Sequence, residues 1–392
     1  MSEIRVDSIG NESNTGGPVL SGITTFSGQQ YFIPPKGTTA ERPSDCPPGS
    51  IRFNTDTAHL EYWNGLVWLE FEASSVEVGI ATHAAGDSGG TGYRGLIGGG
   101  ILNAPAYTNA INYITISTLG DSQDFGDLSD GRATGGSLAS STRCFWAGGY
   151  SASGFQNNIQ YVTISSTGDT EDFGDLSVHG TAGRMAAAGL SNSTRGLFVA
   201  GQNSPGSPYF TDGISYITLA SNGNDIDFGD AREASNVIQG MASPVRGVWQ
   251  HGNNPRPISY VTISTTGNAQ DFGNLSANIG SVSAASNSVR GIFAGGYISN
   301  RIDYVTIAST GNAQDFGDLT QARFECVGMS SPTRAVFGAG TNSPNTPLVR
   351  NAMDYVEIMT TGNAIDFGDV TYGTSGTGRH PKGSSNGHGG LS

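Results

Sequence analysis

The chain has 392 residues, a formal net charge of −14 and 59 glycines, and only 13% of its side chains are charged. This acidity argues against a nucleic-acid partner, because binding to phosphates requires a basic surface. Cys46, Cys144 and Cys326 are too far apart to suggest a disulfide framework or a zinc site. The chain has neither an 18-residue apolar run nor a signal-peptide pattern, so we expect neither membrane insertion nor secretion by that route.

Residues 1–75 do not repeat. Residues 1–30 are rich in Gly and Ser and are predicted to be an N-terminal attachment segment. Residues 31–75 combine a Pro-rich connector with a predicted β-hairpin module, in which Asn64 and Gly65 form the tight turn. So small a sheet cannot bury all its aromatic side chains, which predicts an attachment or oligomer contact. The candidate residues for this contact are Tyr62, Trp63, Trp68 and Phe71.

A repeat occupies the rest of the chain, residues 76–392. The sequence Asp-Phe-Gly followed by Asp or Asn occurs six times, at a mean spacing of about 48 residues. The phenylalanines are Phe125, Phe173, Phe228, Phe272, Phe316 and Phe367. Such a period is typical of stacked or radial repeat architectures, whose units share one continuous core.

Two further residues mark each unit. An Arg opens one apolar stretch, at Arg94, Arg143, Arg195, Arg246, Arg290 and Arg334, and a Tyr lies within the next, at Tyr113, Tyr161, Tyr216, Tyr260, Tyr304 and Tyr355. Tyr and Phe are always 12 residues apart, which predicts a fixed hairpin whose Gly and Asn supply positive φ. The Arg-to-Tyr distance varies from 14 to 21 residues.

Each unit therefore offers an inner strand, an Arg strand, a Tyr strand and a Phe strand. Six units of four short antiparallel strands predict an all-β, six-bladed β-propeller. We expect the Tyr and Phe of each unit to be buried between adjacent sheets. Residues 77–88 and 374–386 both look like inner strands, and only one of them can close the ring. The Gly pair, the Tyr and the closing aromatic residue resemble Kelch repeats, with Phe where that family has Trp.

No catalytic, metal or cofactor site is predicted. The Asp-rich turns do not keep one set of oxygen ligands across the copies, so capping of turns explains them better than calcium binding. The repeated Arg is expected to pair with an Asp or a carbonyl group. A glycan-cleaving propeller remains an alternative, and it would need carboxylates from separate blades to converge at the axis.

The variable connections predict a binding surface. In an up-and-down blade, the link between the Arg and Tyr strands and the link between blades leave on the same side. The longest insertions are residues 202–213 and 341–352. Aromatic and Arg side chains carry much of the energy at interfaces. The candidate contact residues are Tyr107, Phe155, Tyr209, Phe210 and Arg350.

The sequence "AERPSDCPPGSIRFNTDTAHLEYWNGLVW" at residues 40–68, with the "YVTI" and "STGNA" repeats and the terminal "HGG", resembles virion structural and tail-fibre proteins of marine cyanophages. The resemblance implies a virion component, assembled in the host cytoplasm, whose partners are other virion proteins and a host-surface glycan or protein. Burial of the exposed aromatic side chains of the hairpin module predicts a homo-oligomer, and the resemblance to phage fibres favours a trimer. A dimer or a contact with another virion protein would bury the same rings. A purely architectural decoration protein of the capsid or tail remains a second alternative.

Overall fold

The structure is a computed structural model that describes residues 34–57, 59–70, 93–103, 106–179, 183–203, 209–236, 239–252, 256–341, 351–371 and 380–391. Within these ranges the chain is all-β, apart from one 3-10 turn at Thr39–Glu41. The chain divides into two compact units, Met1–Val78 and Gly79–Ser392.

The first unit contains one small sheet. Its strands, in hydrogen-bonded order, are Lys36–Gly37, Ile51–Asn54, His59–Trp63 and Trp68–Glu70. The module is thus larger than the predicted hairpin, because the connector adds a parallel edge strand. The predicted two-residue turn is also wrong. Trp63 pairs with Trp68, which leaves a four-residue loop in which Asn64 Oδ1 accepts bonds of 2.8 Å from the amides of Leu66 and Val67.

The second unit is built from antiparallel sheets, of which the described residues form six with one common strand order. We name the strands of each sheet the first, Arg, Tyr and Phe strands. Given in that order, the strands are Lys382–Ser385, Arg94–Gly98, Ala110–Thr115 and Gln123–Asp127 in sheet 1; Gly136–Ala139, Arg143–Ala147, Asn158–Thr163 and Glu171–Asp175 in sheet 2; Ala188–Ser191, Arg195–Asn203, Phe210–Thr218 and Ile226–Asp230 in sheet 3; Gly240–Ala242, Arg246–Gln250, Pro257–Thr262 and Gln270–Asn274 in sheet 4; Ser283–Ser286, Arg290–Ala294, Arg301–Thr306 and Gln314–Asp318 in sheet 5; and Val327–Ser330, Arg334–Gly338, Ala352–Glu357 and Ile365–Asp369 in sheet 6. This arrangement of short four-stranded sheets is propeller-like.

Short additional strands lie in the connections. Arg184–Met185 adds a fifth strand to sheet 3. A three-stranded sheet contains Arg132–Ala133, Tyr150–Ser151 and Gly154–Phe155, and a two-stranded one contains Ile101–Asn103 and Ala106–Tyr107.

The constant Tyr-to-Phe spacing corresponds to a β-bulge. Ile302 pairs with Gly317 and Asp303 with Asp315, so Phe316 has no residue opposite it. The bulge is repeated in every sheet and turns the Phe ring edge-on to the Tyr ring of the same sheet, with ring centroids 5.9–6.1 Å apart.

The prediction that both rings are buried is right for Phe and only partly right for Tyr. The six phenylalanines are 2–3% exposed, whereas five of the six tyrosines are only half-buried. In four of the six sheets the Tyr hydroxyl donates a hydrogen bond to a Gln or Glu side chain ten residues on, as from Tyr304 to Gln314 Oε1 at 2.5 Å.

The repeated turn joins each sheet to the one before it. The amides of Gly311 and Ala313 donate to the carbonyl oxygens of Phe272 and Asn274 at 2.7 and 2.8 Å, and Asn312 Oδ1 accepts from the Asn274 amide at 3.0 Å. We call these three bonds the Gly-Asn clasp. The predicted positive φ of the turn Asn is wrong, since Gly alone adopts it and the Asn side chain instead bonds across the sheets. Equivalent clasps, some with Asp in place of Asn, join the other neighbouring sheets, and Gly120 donates to Phe367 in sheet 6 at 2.9 Å.

The repeated Arg has the structural role predicted for it. Arg290 stacks over Tyr304 of its own sheet at 4.3 Å and donates to the carbonyl oxygen of Ile358 in the next sheet at 3.0 Å. The other five Arg side chains make the same two contacts, and Arg334 of sheet 6 reaches Ile116 of sheet 1 at 3.0 Å.

The first strand of sheet 1 comes from the C-terminal part of the chain. Residues 382–385 pair antiparallel with residues 95–98, so the 374–386 segment supplies this strand. The other candidate, 77–88, lies outside the described residues.

Candidate functional site

The connections leave the sheets of the second unit on two sides. The loop side carries the links from Arg to Tyr strands and from Phe strands to the next first strand. The turn side carries the Gly-Asn clasps. The small additional strands all lie in loop-side connections, which are the connections whose lengths vary.

Three aromatic side chains form a cluster on the loop side. The Tyr107 and Tyr150 ring centroids are 6.1 Å apart, and Tyr150 meets Phe155 edge-on at 5.3 Å. Tyr107 belongs to the connection of sheet 1 and the other two rings to that of sheet 2, so the cluster spans neighbouring sheets. Tyr150 is 37% exposed, and the other two rings are half-buried.

The polar groups beside this cluster include the ion pair of Arg132 with Asp130, since the Arg132–Ala133 strand pairs with Tyr150–Ser151. The Gln156 amide donates to Ser151 Oγ and Ser153 Oγ at 2.9 and 3.1 Å, which holds the hairpin between Tyr150 and Phe155 in shape. The surface therefore suits a ligand with apolar faces and hydrogen-bonding groups.

Two more aromatic pairs lie on the loop side. Tyr209 and Phe210 meet edge-on at 4.9 Å at the end of the long sheet 3 hairpin, and Tyr209 is 55% exposed. Tyr297, 53% exposed, lies 5.4 Å from Phe324, and Ile298 beside it is 64% exposed. Among the predicted contact residues, Tyr107 and Phe155 are thus brought together, and Tyr209 and Phe210 form a separate pair.

The sequence reasoning missed Tyr150 and Tyr297. Both directly follow an Ala-Gly-Gly sequence at the end of an Arg strand, and the other units have no aromatic residue at that place. That departure from the repeat was the available signal. Arg350 and Phe71 lie outside the described residues, as do parts of the 202–213 and 341–352 insertions.

The first strands of the six sheets line a narrow channel of about 30 Å3, room for about one water molecule. Its wall is held by serines that bridge neighbouring strands. Ser286, Ser330 and Ser385 each donate to a carbonyl oxygen of the preceding first strand, at 2.7–2.8 Å. Gln239 bridges the channel by donating to Gly328 O at 2.6 Å and accepting from the Gly328 amide at 2.8 Å.

His388 of the C-terminal "HGG" lines this channel at its turn side. His388 Nε2 donates to Ala139 O at 2.9 Å and its Nδ1 accepts from the Gly390 amide at 3.2 Å, which assigns the neutral tautomer with the proton on Nε2. A Cβ at Gly390 would overlap Ser191 O. The chain forms a turn at His388 rather than a further strand.

Burial shifts the pKa of several groups around the channel. It lowers the pKa of His388 to about 4 and that of Lys382 to about 8, the latter against the opposing effect of Glu325. His380 lies 3.0 Å from that carboxylate. The described residues that line the channel include no carboxylate, and no group of three metal-ligating side chains occurs in the described ranges.

At two of the clasps, the Asp-rich turns place several carboxylates close together. Burial and the neighbouring charges of Asp169 and Asp124 raise the pKa of Asp127. Burial, Asp121 and Asp366 do the same at Asp369. In each cluster one carboxylate is a clasp acceptor, since the Asp127 amide donates to Asp169 Oδ1 at 3.0 Å. These side chains therefore bond across the sheets, rather than capping their own turn as predicted.

The first unit has two faces of opposite character. Ile51, Phe53, Leu60, Tyr62 and Leu69 form the open apolar face, because cross-strand pairing brings them onto one side of the sheet. Ile51, Leu60 and Leu69 are 51%, 41% and 38% exposed.

The other face is covered by the connector. Glu61 is fully buried there, and Arg42 Nη2 lies 2.6 Å from its Oε2. Burial alone would raise the pKa of Glu61, but bonds from Arg42 and Asn54 lower it overall. Trp68 donates to Pro43 O at 3.2 Å.

The three predicted attachment aromatics that the structure describes therefore do not share a surface. Trp63 and Trp68 pack together on the connector side with ring centroids 5.7 Å apart, whereas Tyr62 lies on the open apolar face. Side chains alternate along a strand, so adjacent residues 62 and 63 point to opposite faces.

Comparison with known proteins identifies no relative: no protein-family model matches the chain, and no curated protein matches it significantly. In the described part of the chain, no helix has the length and apolar character needed to cross a membrane.

Proposed function

We propose that the second unit is a closed, six-bladed β-propeller. Three features of neighbouring sheets support closure. Between sheets 6 and 1, the Gly-Asn clasp joins Gly120 to Phe367 and the Arg contact joins Arg334 to Ile116. The C-terminal first strand completes sheet 1 and contacts the first strands of sheets 2 and 6.

The proposed function is that of a phage virion structural protein, a tail fibre or particle-surface fibre, that presents this propeller to the host surface. The observation that carries it is the division of the described residues into a small unit with an open apolar face and a repeat unit whose exposed aromatic pairs lie on the loop side. The resemblance of residues 40–68 to cyanophage virion proteins supports the same function.

The loop side is the proposed host-binding surface. It combines exposed rings with variable loops on a rigid scaffold, which is the usual arrangement of binding sites. The ligand is a host-surface glycan or protein, and the role is binding rather than catalysis.

Adsorption of particles to host cells tests this role. Tyr150→Ser, Phe155→Ser and Tyr209→Ser are expected to slow adsorption, because each removes an aromatic contact from the loop side. Leu119→Ser is the matched control, since Leu119 is 57% exposed on the turn side. Normal adsorption by all the loop-side variants, with normal amounts of protein on the particle, would leave an architectural decoration protein as the better description.

The first unit is the proposed anchor, and the anchored form is a homo-oligomer, a trimer in the simplest fibre. Particles assembled with a chain that lacks residues 1–75 are expected to contain none of the truncated protein. Incorporation of that truncated chain at the normal level would contradict the anchoring role.

A further inference from the structure

We infer that residues 386–391 form an acid-sensitive latch, which holds the C-terminal strand in the ring of first strands while His388 is neutral and releases it when His388 takes up a proton. The inference rests on the proposed closure of the second unit and adds a condition under which one sheet of the ring can open.

The latch is hydrogen-bonded to three sheets besides its own. It follows directly on the first strand of sheet 1. His388 Nε2 donates to Ala139 O in sheet 2 at 2.9 Å and lies 3.2 Å from Ser191 Oγ in sheet 3. The Gly389 amide donates to Ser286 O in sheet 5 at 2.8 Å. The latch therefore connects the C-terminal strand to several of the other first strands.

The latch bonds to the same carbonyl groups as the serines that bridge the first strands. Ala139 O also accepts from Ser191 Oγ at 2.7 Å, and Ser286 O accepts from Ser330 Oγ at 2.8 Å. A carbonyl oxygen has two lone pairs, so each of these oxygens can accept a second bond. The latch and the serine bridges therefore stabilise the same junctions between neighbouring strands.

The latch packs in one defined conformation. The Leu391 amide donates to His388 O at 3.0 Å, which closes a turn. Within this turn, a Cβ at Gly390 would overlap Ser191 O. Only glycine allows so close an approach of two backbones. Any larger residue at this position should therefore displace the latch.

The hydrogen bonds of His388 require its neutral form. Its Nε2 donates to Ala139 O, and its Nδ1 accepts from the Gly390 amide at 3.2 Å. A protonated imidazole is a donor at both nitrogens. Its Nδ1–H would face the Gly390 N–H, so the bond between them would be lost. Protonation therefore breaks a bond within the turn of the latch.

The described residues around His388 offer no carboxylate to balance the proton. The first strands of sheets 2 to 6 carry only uncharged side chains. On the first strand of sheet 1, Lys382 has the same sign of charge as a protonated His388. Enclosure of a positive charge without a partner is unfavourable, so protonation should favour the released latch.

The two states of the latch should therefore differ in proton affinity. Burial lowers the pKa of His388 to about 4, whereas a released residue would titrate near the ordinary value of 6.5. Between these values the released state binds more protons, so the equilibrium shifts toward it as pH falls. From pH 7 to pH 5, the two pKa values predict an increase of about 20-fold in the released fraction.

Two buried thiols distinguish release of the latch from unfolding of the whole unit. The Cys144 thiol is hydrogen-bonded to the backbone of Ser384, in the strand that the latch holds. Cys326 Sγ lies 3.0 Å from Ser283 Oγ, between sheets 5 and 6. Release of the C-terminal strand should expose Cys144 alone, whereas unfolding should expose both. The exposed background from Cys46 is removed by Cys46→Ser.

Thiol labelling of the full-length Cys46→Ser chain tests the inference. The reagent is an aromatic disulfide that reacts in mild acid, and each rate is corrected for the reaction of a small thiol at the same pH. We expect Cys144 to react faster than Cys326, and its rate to rise about 20-fold from pH 7 to pH 5. In His388→Gln that rise should be lost, because the amide keeps a donor and an acceptor and does not titrate.

Two further variants serve as a positive and a negative control. Gly390→Ala should react rapidly at Cys144 at both pH values, because its Cβ displaces the latch. His59→Gln should behave as the parent chain does, since His59 is an exposed residue of the first unit, with 51% of its side chain exposed.

Three results would overturn the inference: equal rates at Cys144 and Cys326, an equal acid dependence in the parent chain and His388→Gln, or slow labelling of Cys144 in Gly390→Ala. Each of these would leave the proposed closure of the ring standing. Rapid labelling of Cys144 in the parent chain at pH 7 would instead contradict that closure.

Discussion

The Gly168 amide donates a hydrogen bond of 2.8 Å to the carbonyl oxygen of Phe125 in the preceding sheet. This contact explains why two motifs far apart in each unit repeat together. The backbone of the Asp-Phe-Gly sequence is hydrogen-bonded to the Gly-Asn turn of the following unit. Each motif therefore requires the other. The most regular sequence in the protein therefore joins sheet to sheet, and the proposed binding surface lies in the irregular connections.

Gly273 lies against the Gly-Asn clasp and is predicted to be more sensitive to substitution than the glycine of the clasp itself. Its φ is +147°, and a Cβ there would overlap the carbonyl oxygen of Gly311. We expect Gly273→Ala to lower the free energy of unfolding by about 1–3 kcal/mol more than Gly311→Ala, because Gly311 has a similar φ but no atom near its Cβ position. Urea denaturation of both variants measures the difference. Equal losses would show that backbone strain alone, and not the close approach, makes the glycine necessary.

Replacing Asp169 with Asn should stabilise the protein at neutral pH. The Asn keeps the Oδ1 acceptor for Asp127 and removes one of three neighbouring charges. The gain should be about 0.5–1 kcal/mol or less, because the groups are near solvent. A raised folded-state pKa of Asp127 makes stability fall as pH rises through that pKa, so the gain should be full at pH 7 and vanish in acid.

Asn268→Asp is the matched reverse substitution. It should destabilise by a similar amount, since the Asp230 amide donates to Asn268 Oδ1 at 3.1 Å and Asp227 lies on the same strand. Thermal melts at pH 7 and at pH 3 compare the two. A stabilising effect of Asn268→Asp would contradict the repulsion argument.

The bulged phenylalanine should contribute more to stability than the tyrosine that it contacts. Phe316→Ala should cost about 3–5 kcal/mol, because the ring is 3% exposed and leaves a cavity. Tyr304→Phe should cost about 0.5–1.5 kcal/mol, since only the bond to Gln314 is lost. Denaturant titration of both variants gives the two values. A Tyr304→Phe loss as large as that of Phe316→Ala would mean that the hydroxyl, and not ring burial, holds the sheets together.

His388 should make the protein sensitive to mild acid. Burial lowers its pKa to about 4, whereas the unfolded chain takes up the proton near the ordinary value of 6.5. Because the unfolded state binds more protons between these values, stability should fall as pH drops from 6.5 to 4. The loss should be smaller in His388→Gln, and the remainder should include His251, whose pKa burial also lowers.

Unfolding midpoints at pH 7, 5.5 and 4 measure this dependence. His59→Gln is the control, since His59 is an exposed residue of the first unit, with 51% of its side chain exposed. An identical slope in wild type and His388→Gln would show that the C-terminal segment leaves the channel before the histidine is protonated.

The sequence by itself determined the strands, the repeat and the buried Phe positions. Apolar stretches, turn residues and the spacing between motifs are local properties of the sequence. Comparison of the six copies shows which of these properties are constant and therefore structural. The constant interval between Tyr304 and Phe316 was visible in the sequence. The bulge that requires this interval forms between the two neighbouring strands that carry these residues. The candidate contact residues Tyr107 and Phe155 were also visible, as aromatics in connections of varying length.

Only the tertiary structure decided how distant residues meet. The contact of Arg334 with Ile116, the position of His388 beside Ala139, and the joining of Tyr107 to Phe155 through Tyr150 each bring together residues from separate sheets. The face that the first unit buries depended on an ion pair between Arg42 and Glu61 across the connector. Local sequence patterns cannot predict such pairs. The free energy that selects the pairs comes from burial and hydrogen bonding between segments that only folding brings together.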